Sequence, residues 1–308
     1  YQPLSPQLPR YDRVVDDLCT HHSPPKAQLS PTWLCNMTSA TLSLLPVVVI
    51  YRCRWQDTRS IQSLLTDYSG TIYIGDNSPA DFEVDTQSLP EQLVYQRATD
   101  NPGLSHHYNT AARYAATHGY THLLLLDQDT LFPPHALEQY LQISESTIVA
   151  APSLTTHTGA FSPATIDTWS IKAVSLPAGE HSLFDYAPVN SGLCVRVEDF
   201  LAVGGYNEKV ALDFADFQFI RRIRQRTTHF TLLPLTAQQD FSNHQTRTEV
   251  LLPRYRLYLK SARHCEFDIT KAKWQHHYQV LRHTLALSLR TRSLRFLTTL
   301  FTHYLFQT

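Results

Sequence analysis

His122-Leu123-Leu124-Leu125-Leu126-Asp127-Gln128-Asp129-Thr130 is the stretch that decides the fold. Four consecutive leucines, bounded closely by polar residues, form too short a run for an ordinary helix and read as a strand enclosed on both faces. Such strands belong to sheets covered by helices on both sides. Two carboxylates follow the strand at once, one residue apart. Burying such a pair is costly unless hydrogen bonds or a cation offset its charge. A hard divalent ion satisfies both groups and also binds phosphate oxygens, so a metal-bridged diphosphate is the ligand such a pair would suit. For the bare motif, a solvated turn is the plain alternative.

Upstream, the same grammar repeats. Leu104, Tyr108, Ala111, Ala112 and Ala115 are spaced for a helix that Gly119 ends. Thr71–Ile74 reads as a strand stopped by Gly75-Asp76-Asn77-Ser78-Pro79, and Val47–Tyr51 as a β-branched strand bounded by Pro46. Ile61, Leu64 and Leu65 supply the helix between them. Strand, helix, strand, helix, strand predicts a mostly parallel central sheet flanked by helices. Tyr51, Asp76 and Asp127 then fall at carboxyl ends of strands, where open α/β sheets bind ligands.

Downstream, Asn190-Ser191-Gly192 precedes Leu193-Cys194-Val195, and Val203-Gly204-Gly205-Tyr206 follows soon after. Small residues there allow close backbone approach to a ligand, or make an ordinary turn. Asp213 and Asp216 lie three apart in the apolar, helix-competent stretch Ala211–Arg222. That spacing predicts one helix face for both. An aspartate in apolar surroundings has a raised pKa and suits a general base, while a helix cap is the structural alternative.

In combination these motifs resemble the family-2 inverting glycosyltransferases of the GT-A fold, rhamnosyltransferase-like members above all, from about Val47 to Lys260. Asp76-Asn77-Ser78 resembles the family's strand-end aspartate that reads the nucleotide base. Asn101-Pro102-Gly103 and Asn109-Thr110-Ala111 resemble its Asn-x-Gly and Asn-x-Gly/Ala run, and Asp127-Gln128-Asp129-Thr130 its Asp-x-Asp. Val203–Glu208, Asp213-Phe214-Ala215-Asp216 and Arg254–Tyr258 resemble its later blocks. The resemblance implies donor contacts at Tyr51, Asp76, Asn101, Gly103, Asn109, Asp127 and Gln128. It implies Mg2+ or Mn2+ held by Asp129 and Asp127, acceptor-side contacts at Ser191, Gly192 and Asp213, and Asp216 as the base. The implied donor is dTDP-L-rhamnose or a UDP-sugar, and the implied acceptor a glycan or lipid-linked glycan of a bacterial surface polysaccharide.

The pattern departs from the family at three places. Ser105-His106-His107 stands where small residues are usual, and Gln218 where an acid is common. By spacing from Pro234, the family's late metal-site histidine falls on Asp240, which can ligate a hard cation; His244 is the nearby alternative. Two other functions fit parts of the pattern. The leucine run with Asp127 and Asp129 also resembles the start of haloacid-dehalogenase phosphatases, with Leu131 where Thr or Val is expected. A non-catalytic, glycosyltransferase-like binding protein is the other.

The rest of the chain bounds these expectations. In 308 residues, 43% are hydrophobic and 17% charged, a globular composition, and the net charge of -1 supplies no global basic field to attract nucleic acid. Five widely spaced cysteines make no disulfide framework and fit a reducing, cytoplasmic setting. No stretch reads as a signal peptide or a membrane span. Residues 1–45 hold six of the 18 prolines and read as an irregular arm, with a short helix at Tyr11–Leu18; 46–265 is the predicted catalytic domain. Residues 266–308 form a basic amphipathic helical region: from Lys271 onward there are six Lys or Arg and no acid. Such a helix suits the anionic cytoplasmic face of a membrane. Packing on the domain, or on a twin subunit in a homodimer, is the alternative.

Overall fold

The computed structural model describes residues 42–84, 86, 89–165, 172–240, 247–267 and 269–306. The arm, apart from its last four residues, lies outside these residues, as does His244. The chain opens with β1 (Leu44–Ile50), α1 (Arg59–Leu65), β2 (Ile72–Asp76), β3 (Leu93–Arg97), α2 (Leu104–Thr117) and β4 (His122–Asp127). There follow β5 (Thr130–Leu131), α3 (Ala136–Leu141), β6 (Val149–Thr156), β7 (Gly159–Ser162), β8 (Ala164–Thr165), β9 (Lys172–Ala173), β10 (Gly179–Ser182) and β11 (Tyr186–Ala187). Next come β12 (Leu193–Arg196), α4 (Val197–Ala202), α5 (Ala215–Ile223) and β13 (His229–Gln239). Three helices close the described chain: α6 (Thr248–Arg263), α7 (Thr270–Thr291) and α8 (Arg295–Leu300), the last running into a π-helical turn at Phe301–Leu305.

The main sheet runs β10-β13-β6-β12-β4-β1-β2-β3, with β5 added to β13 and β7 to β6. β4, β1, β2 and β3 are mutually parallel, as the strand–helix alternation predicts. β12 enters antiparallel between β4 and β6. Its insertion makes the sheet mixed, and places Asn190-Ser191-Gly192 directly beside the carboxyl end of β4. Pro46 lies within β1 rather than bounding it. Pairing to β2 starts only at Val47, so on that side the missing N–H of Pro46 removes no ladder bond.

The two faces of the sheet carry separate cores, with successive side chains alternating between them. Leu45, Val47, Leu123 and Leu125 pack under α2, α4 and α5. Leu44, Val48, Ile50, Leu124 and Leu126 pack under α1 and α3. All four leucines of β4 are fully enclosed, each contributing roughly 1.5–3 kcal/mol of apolar burial. This rigid strand fixes where Asp127 begins. A third core, centred on Tyr255, Leu259, Val280 and Phe296, joins α6 to α7 and α8. Among the described residues no helix is long and apolar enough to cross a membrane.

Candidate functional site

Parallel register brings the expected strand ends together. Val49 of β1 lies opposite Asp127, and Ile50 opposite Asp76. Just beyond, the backbone N–H of Tyr51 donates to Oε1 of Gln128 at 2.8 Å, tying the end of β1 to the Asp-x-Asp turn. Arg52, in the left-handed region at φ 48°, donates its N–H to Oγ of Ser78 at 2.8 Å. The Tyr51 ring is left exposed at this edge.

Asp127 and Asp129 are half-buried, so they open to solvent without projecting into it. Behind Asp127, Ser191 Oγ accepts the Asp127 backbone N–H at 3.3 Å and hydrogen-bonds to Thr130 Oγ1, while Ser60 Oγ donates to the Asp127 carbonyl. In front, a single amide group serves both acids. Gln239 Nε2 donates to Asp127 Oδ2 at 3.2 Å and to Asp129 Oδ1 at 3.1 Å. Burial, then the neighbouring Asp129, push the Asp127 carboxyl up to about 6, with Gln239 opposing the shift. Burial likewise raises Asp129. Gln239 is itself buried, and its Oε1 has no hydrogen-bond partner among the described residues. Two carboxylates converging on one donor, beside an amide oxygen with no partner, are hard oxygen ligands and fit a divalent ion. Among the described residues no three His, Cys, Asp or Glu are grouped as metal ligands. The Asp240 carboxylate pairs with Arg59 at 3.0 Å, its backbone N–H meets the Asp129 carbonyl, and its charge adds to the upward shift of Asp129.

Asp216 stands in the same neighbourhood. It is half-buried, and burial, reinforced by the charge of Asp127, pushes it up to about 6, although the Phe217 N–H donates to its Oδ1 at 2.8 Å. Tyr108 and Tyr206, ring centroids 5.3 Å apart, form a buried aromatic wall that feels both Asp127 and Asp216. Tyr206 is held by its hydroxyl, which donates to Asn190 Oδ1 at 2.6 Å, and by stacking on Phe219 at 4.3 Å. The site thus has two acids at the tip of β4 and a third carboxylate of raised pKa beside them.

Asp213 and Asp216 do not share a helix face. Phe214 adopts φ 68°, so α5 starts only at Ala215 and Asp213 remains in the preceding turn. Arg254 grips Asp213 with both terminal nitrogens, the Nη2 contact being 2.9 Å. Asp213 therefore ties α6 to the sheet domain.

Several other expected contacts support the site from behind. Asp76 is wholly buried; Ser78 N–H donates to it at 2.7 Å, Tyr95 donates its hydroxyl, and Arg97 lies 3.7 Å away. Asn109 spends its amide on the Gly-Gly-Tyr turn, donating to the Tyr206 carbonyl and to Glu208 and accepting the Tyr206 N–H at 2.8 Å. Gly192, at φ 84°, packs against Pro152 and accepts the Tyr140 hydroxyl at 2.8 Å. Asn101 has φ 50° and Gly103 φ 96°, and the Gly103 N–H donates to Asn77 Oδ1 at 3.2 Å.

The unusual Ser105-His106-His107 has a structural account. Ser105 donates to the Val210 carbonyl at 2.6 Å, and His106 pairs with Glu208 at 3.1 Å. His107 reaches Asn77 at 3.1 Å, in space left by Gly75, where a Cβ would lie 2.5 Å from the imidazole. Burial lowers His107 to about 4, so it is neutral there.

The sequence motifs passed over Gln239 and the pairing of Tyr108 with Tyr206. The signal for Gln239 was present, since it continues the alternate buried positions Leu235 and Ala237 of β13 and pairs opposite Thr130.

No protein-family model matches the sequence, and no curated protein matches it. Among solved structures the chain is similar to GalNAc-T7 crystallised with UDP, GalNAc and Mn2+, at 14% identity and a TM-score of 0.50, over 81% of this chain. The chain spans 57% of the length of that protein. It is also similar to S. aureus TarS 1-349, at 13% identity and a TM-score of 0.48, covering 84% of this chain and 72% of that one. The architecture, with its mostly parallel central sheet, flanking helices and C-terminal helical part, is the GT-A fold.

Proposed function

We propose that the chain is a metal-dependent glycosyltransferase that moves a sugar from a nucleotide-sugar to an acceptor hydroxyl, with inversion. The observation that carries it is the grouping of Asp127 and Asp129 at the carboxyl end of β4 with Asp216, half-buried and raised to about 6. A base that is still largely ionised at neutral pH, yet more basic than an ordinary aspartate, suits proton removal from an alcohol. Asp216 would take the hydroxyl proton as that oxygen attacks the anomeric carbon from the face opposite the diphosphate. Asp127 and Asp129 would hold Mg2+ or Mn2+, with the Gln239 side chain adjoining them. When bound, such an ion neutralises charge developing on the departing diphosphate. The exposed Tyr51 ring, at the same strand edge, offers a stacking face for the base.

GalNAc-T7 is crystallised with UDP, so a UDP-sugar is the first donor to test, and dTDP-L-rhamnose the second. A glycan or lipid-linked acceptor of a bacterial surface polysaccharide is the acceptor class we infer. A haloacid-dehalogenase phosphatase has no comparable support, because the Asp pair lies on a late strand of a GT-A sheet. The test is thermal stabilisation by UDP and dTDP, each with and without Mn2+, followed by a transfer assay on Asp216→Asn. Metal-dependent stabilisation by one nucleotide, retained in the variant while transfer is lost, is expected. Full transfer by Asp216→Asn would remove that residue from the role, and stabilisation by neither nucleotide would overturn the assignment.

A further inference from the structure

A cavity of about 470 Å³ lies away from the carboxylates, between α6 and the turn after α8. Arg256, Lys260 and Arg263 line it at spacings of four and three residues, the repeat of one helix face, with Leu257, His264 and His303 completing a wall whose surface is mostly carbon and whose charged groups are these three cations. Among the described residues neither Arg256 nor Lys260 has an acidic partner, and no acid lines the cavity. Concentrated positive charge around a concave space, with rotatable donors, is chemistry for a phosphate.

A second feature adjoins it. α7 buries His276, Val280 and Leu287 against its neighbours, yet carries a second apolar row, Trp274, Tyr278, Leu281, Leu285 and Leu289. The steps of four, three, four and four residues align this row along the helix. It is open to solvent, with Trp274 69% and Leu289 79% exposed. An exposed apolar row on a helix already buried on another side is not explained by the fold. The row and the cavity meet at one end. Trp274 packs edge-on to His277 at 6.2 Å, His277 hydrogen-bonds to the Tyr304 hydroxyl at 2.7 Å, and Tyr304 follows His303 of the cavity wall.

We propose that this helical part docks on an anionic phospholipid bilayer, the cavity taking a lipid phosphate and the apolar row of α7 lying at the boundary of headgroups and acyl chains. Charge selects this occupant. From Lys271 onward the chain carries six Lys or Arg and no acid, so a second copy would bring two positive faces together. An anionic leaflet complements both features at once: polybasic segments are drawn to it, and aromatic and leucine side chains enter its interface. The proposal is independent of the reaction at the β4 acids, since vesicle binding and nucleotide binding are separate measurements.

The test is co-sedimentation of the full chain with vesicles of equal parts phosphatidylglycerol and phosphatidylcholine, against pure phosphatidylcholine. The intact chain should bind the anionic vesicles at least about tenfold more tightly. Arg256→Glu with Lys260→Glu should reduce that binding by roughly tenfold or more, and Leu285→Ser with Leu289→Ser should weaken it similarly. All four positions are exposed, and circular dichroism with nucleotide-dependent thermal shift checks that the variants remain folded. Quenching of fluorescence by brominated lipid, lost in Trp274→Phe, would place the row at the acyl boundary. Absence of sedimentation, equal binding to both vesicles, or variants that bind like the parent would overturn the proposal. So would full displacement from vesicles by inorganic pyrophosphate at low concentration, which would assign the cavity to a soluble phosphate instead.

Discussion

Replacing Asp127 by Asn should make the metal-free protein more stable while abolishing its chemistry. The carboxyl is raised from 3.8 to about 6 by burial and by Asp129. A folded-state pKa above the unfolded one means that the native state holds the proton more tightly between these two values. Stability therefore falls as pH climbs through about 4 to 6, and the full penalty is present above that window. At 1.36 kcal/mol per pKa unit, the penalty is on the order of 3 kcal/mol. Partial solvent access at the half-buried site reduces it, so a gain of about 1–2 kcal/mol is expected for Asp127→Asn near pH 8. Asparagine can still accept the Gln239 N–H, so the variant loses charge rather than a hydrogen bond. For a chain of this size the gain corresponds to roughly 2–3 °C in Tm. Urea unfolding in EDTA at about pH 8 and about pH 4.5 measures it; at the lower pH the folded carboxyl is already protonated and the difference should shrink to roughly a third of its value at the higher. Adding Mn2+ should raise the parent's Tm and leave the variant's almost unchanged. A variant that is less stable at high pH, or a gain of equal size at both pH values, would refute the electrostatic account of the site.

Other outcomes follow from the same geometry. With saturating Mn2+ and donor, kcat/KM should rise with pH through about 6, as the Asp216 base loses its proton, and then level off; a profile flat across that range would exclude Asp216 as the titrating group. Gly204→Ala and Gly205→Ala form a matched pair for urea unfolding, because both glycines have positive φ. A Cβ at Gly204 meets nothing, so the first should cost about 1 kcal/mol of backbone strain. At Gly205 the Cβ would strike Asn109 and Phe200, and a further cost of about 1–3 kcal/mol is expected. Gln239→Leu leaves Asp127 and Asp129 without their shared donor, and should lower stability in EDTA by about 1–3 kcal/mol, measured by urea unfolding.

The parallel half of the sheet was legible because its residues obey one local rule each. Val47–Tyr51, Thr71–Ile74 and His122–Leu126 are apolar runs of strand length between turn residues, and β1, β2 and β4 match them within a few residues. β3 and β13 were not foreseen. Leu93–Arg97 is only partly buried and mixes polar residues into its pattern, while Pro234 interrupts the look of β13, although it points outward there. The helix expected across Ala211–Arg222 starts late because Phe214 takes a left-handed conformation, a fact that no periodicity encodes. In the tail, Phe296 and Leu300 are core residues whereas Leu281, Leu285 and Leu289 face solvent; spacing alone put all five on equal terms.

The candidate site divides in the same way. Acids at strand ends were legible because burying charge is costly enough to mark the sequence. What those acids touch depends on long-range pairing. Asn109, Ser191 and Gly192 occupy expected positions in the chain, yet their polar groups are directed at the Gly-Gly-Tyr turn, at Asp127 and at Tyr140. These bonds hold neighbouring residues in place. Gln239 arrives from a strand more than a hundred residues beyond the acids, and its single amide lies where a cation would best neutralise them. An amide carries only a partial positive charge, so it eases the repulsion between Asp127 and Asp129 without abolishing it, and Asp127 remains raised. The site therefore keeps an unsatisfied affinity for positive charge, which a divalent ion held by these two carboxylates would relieve.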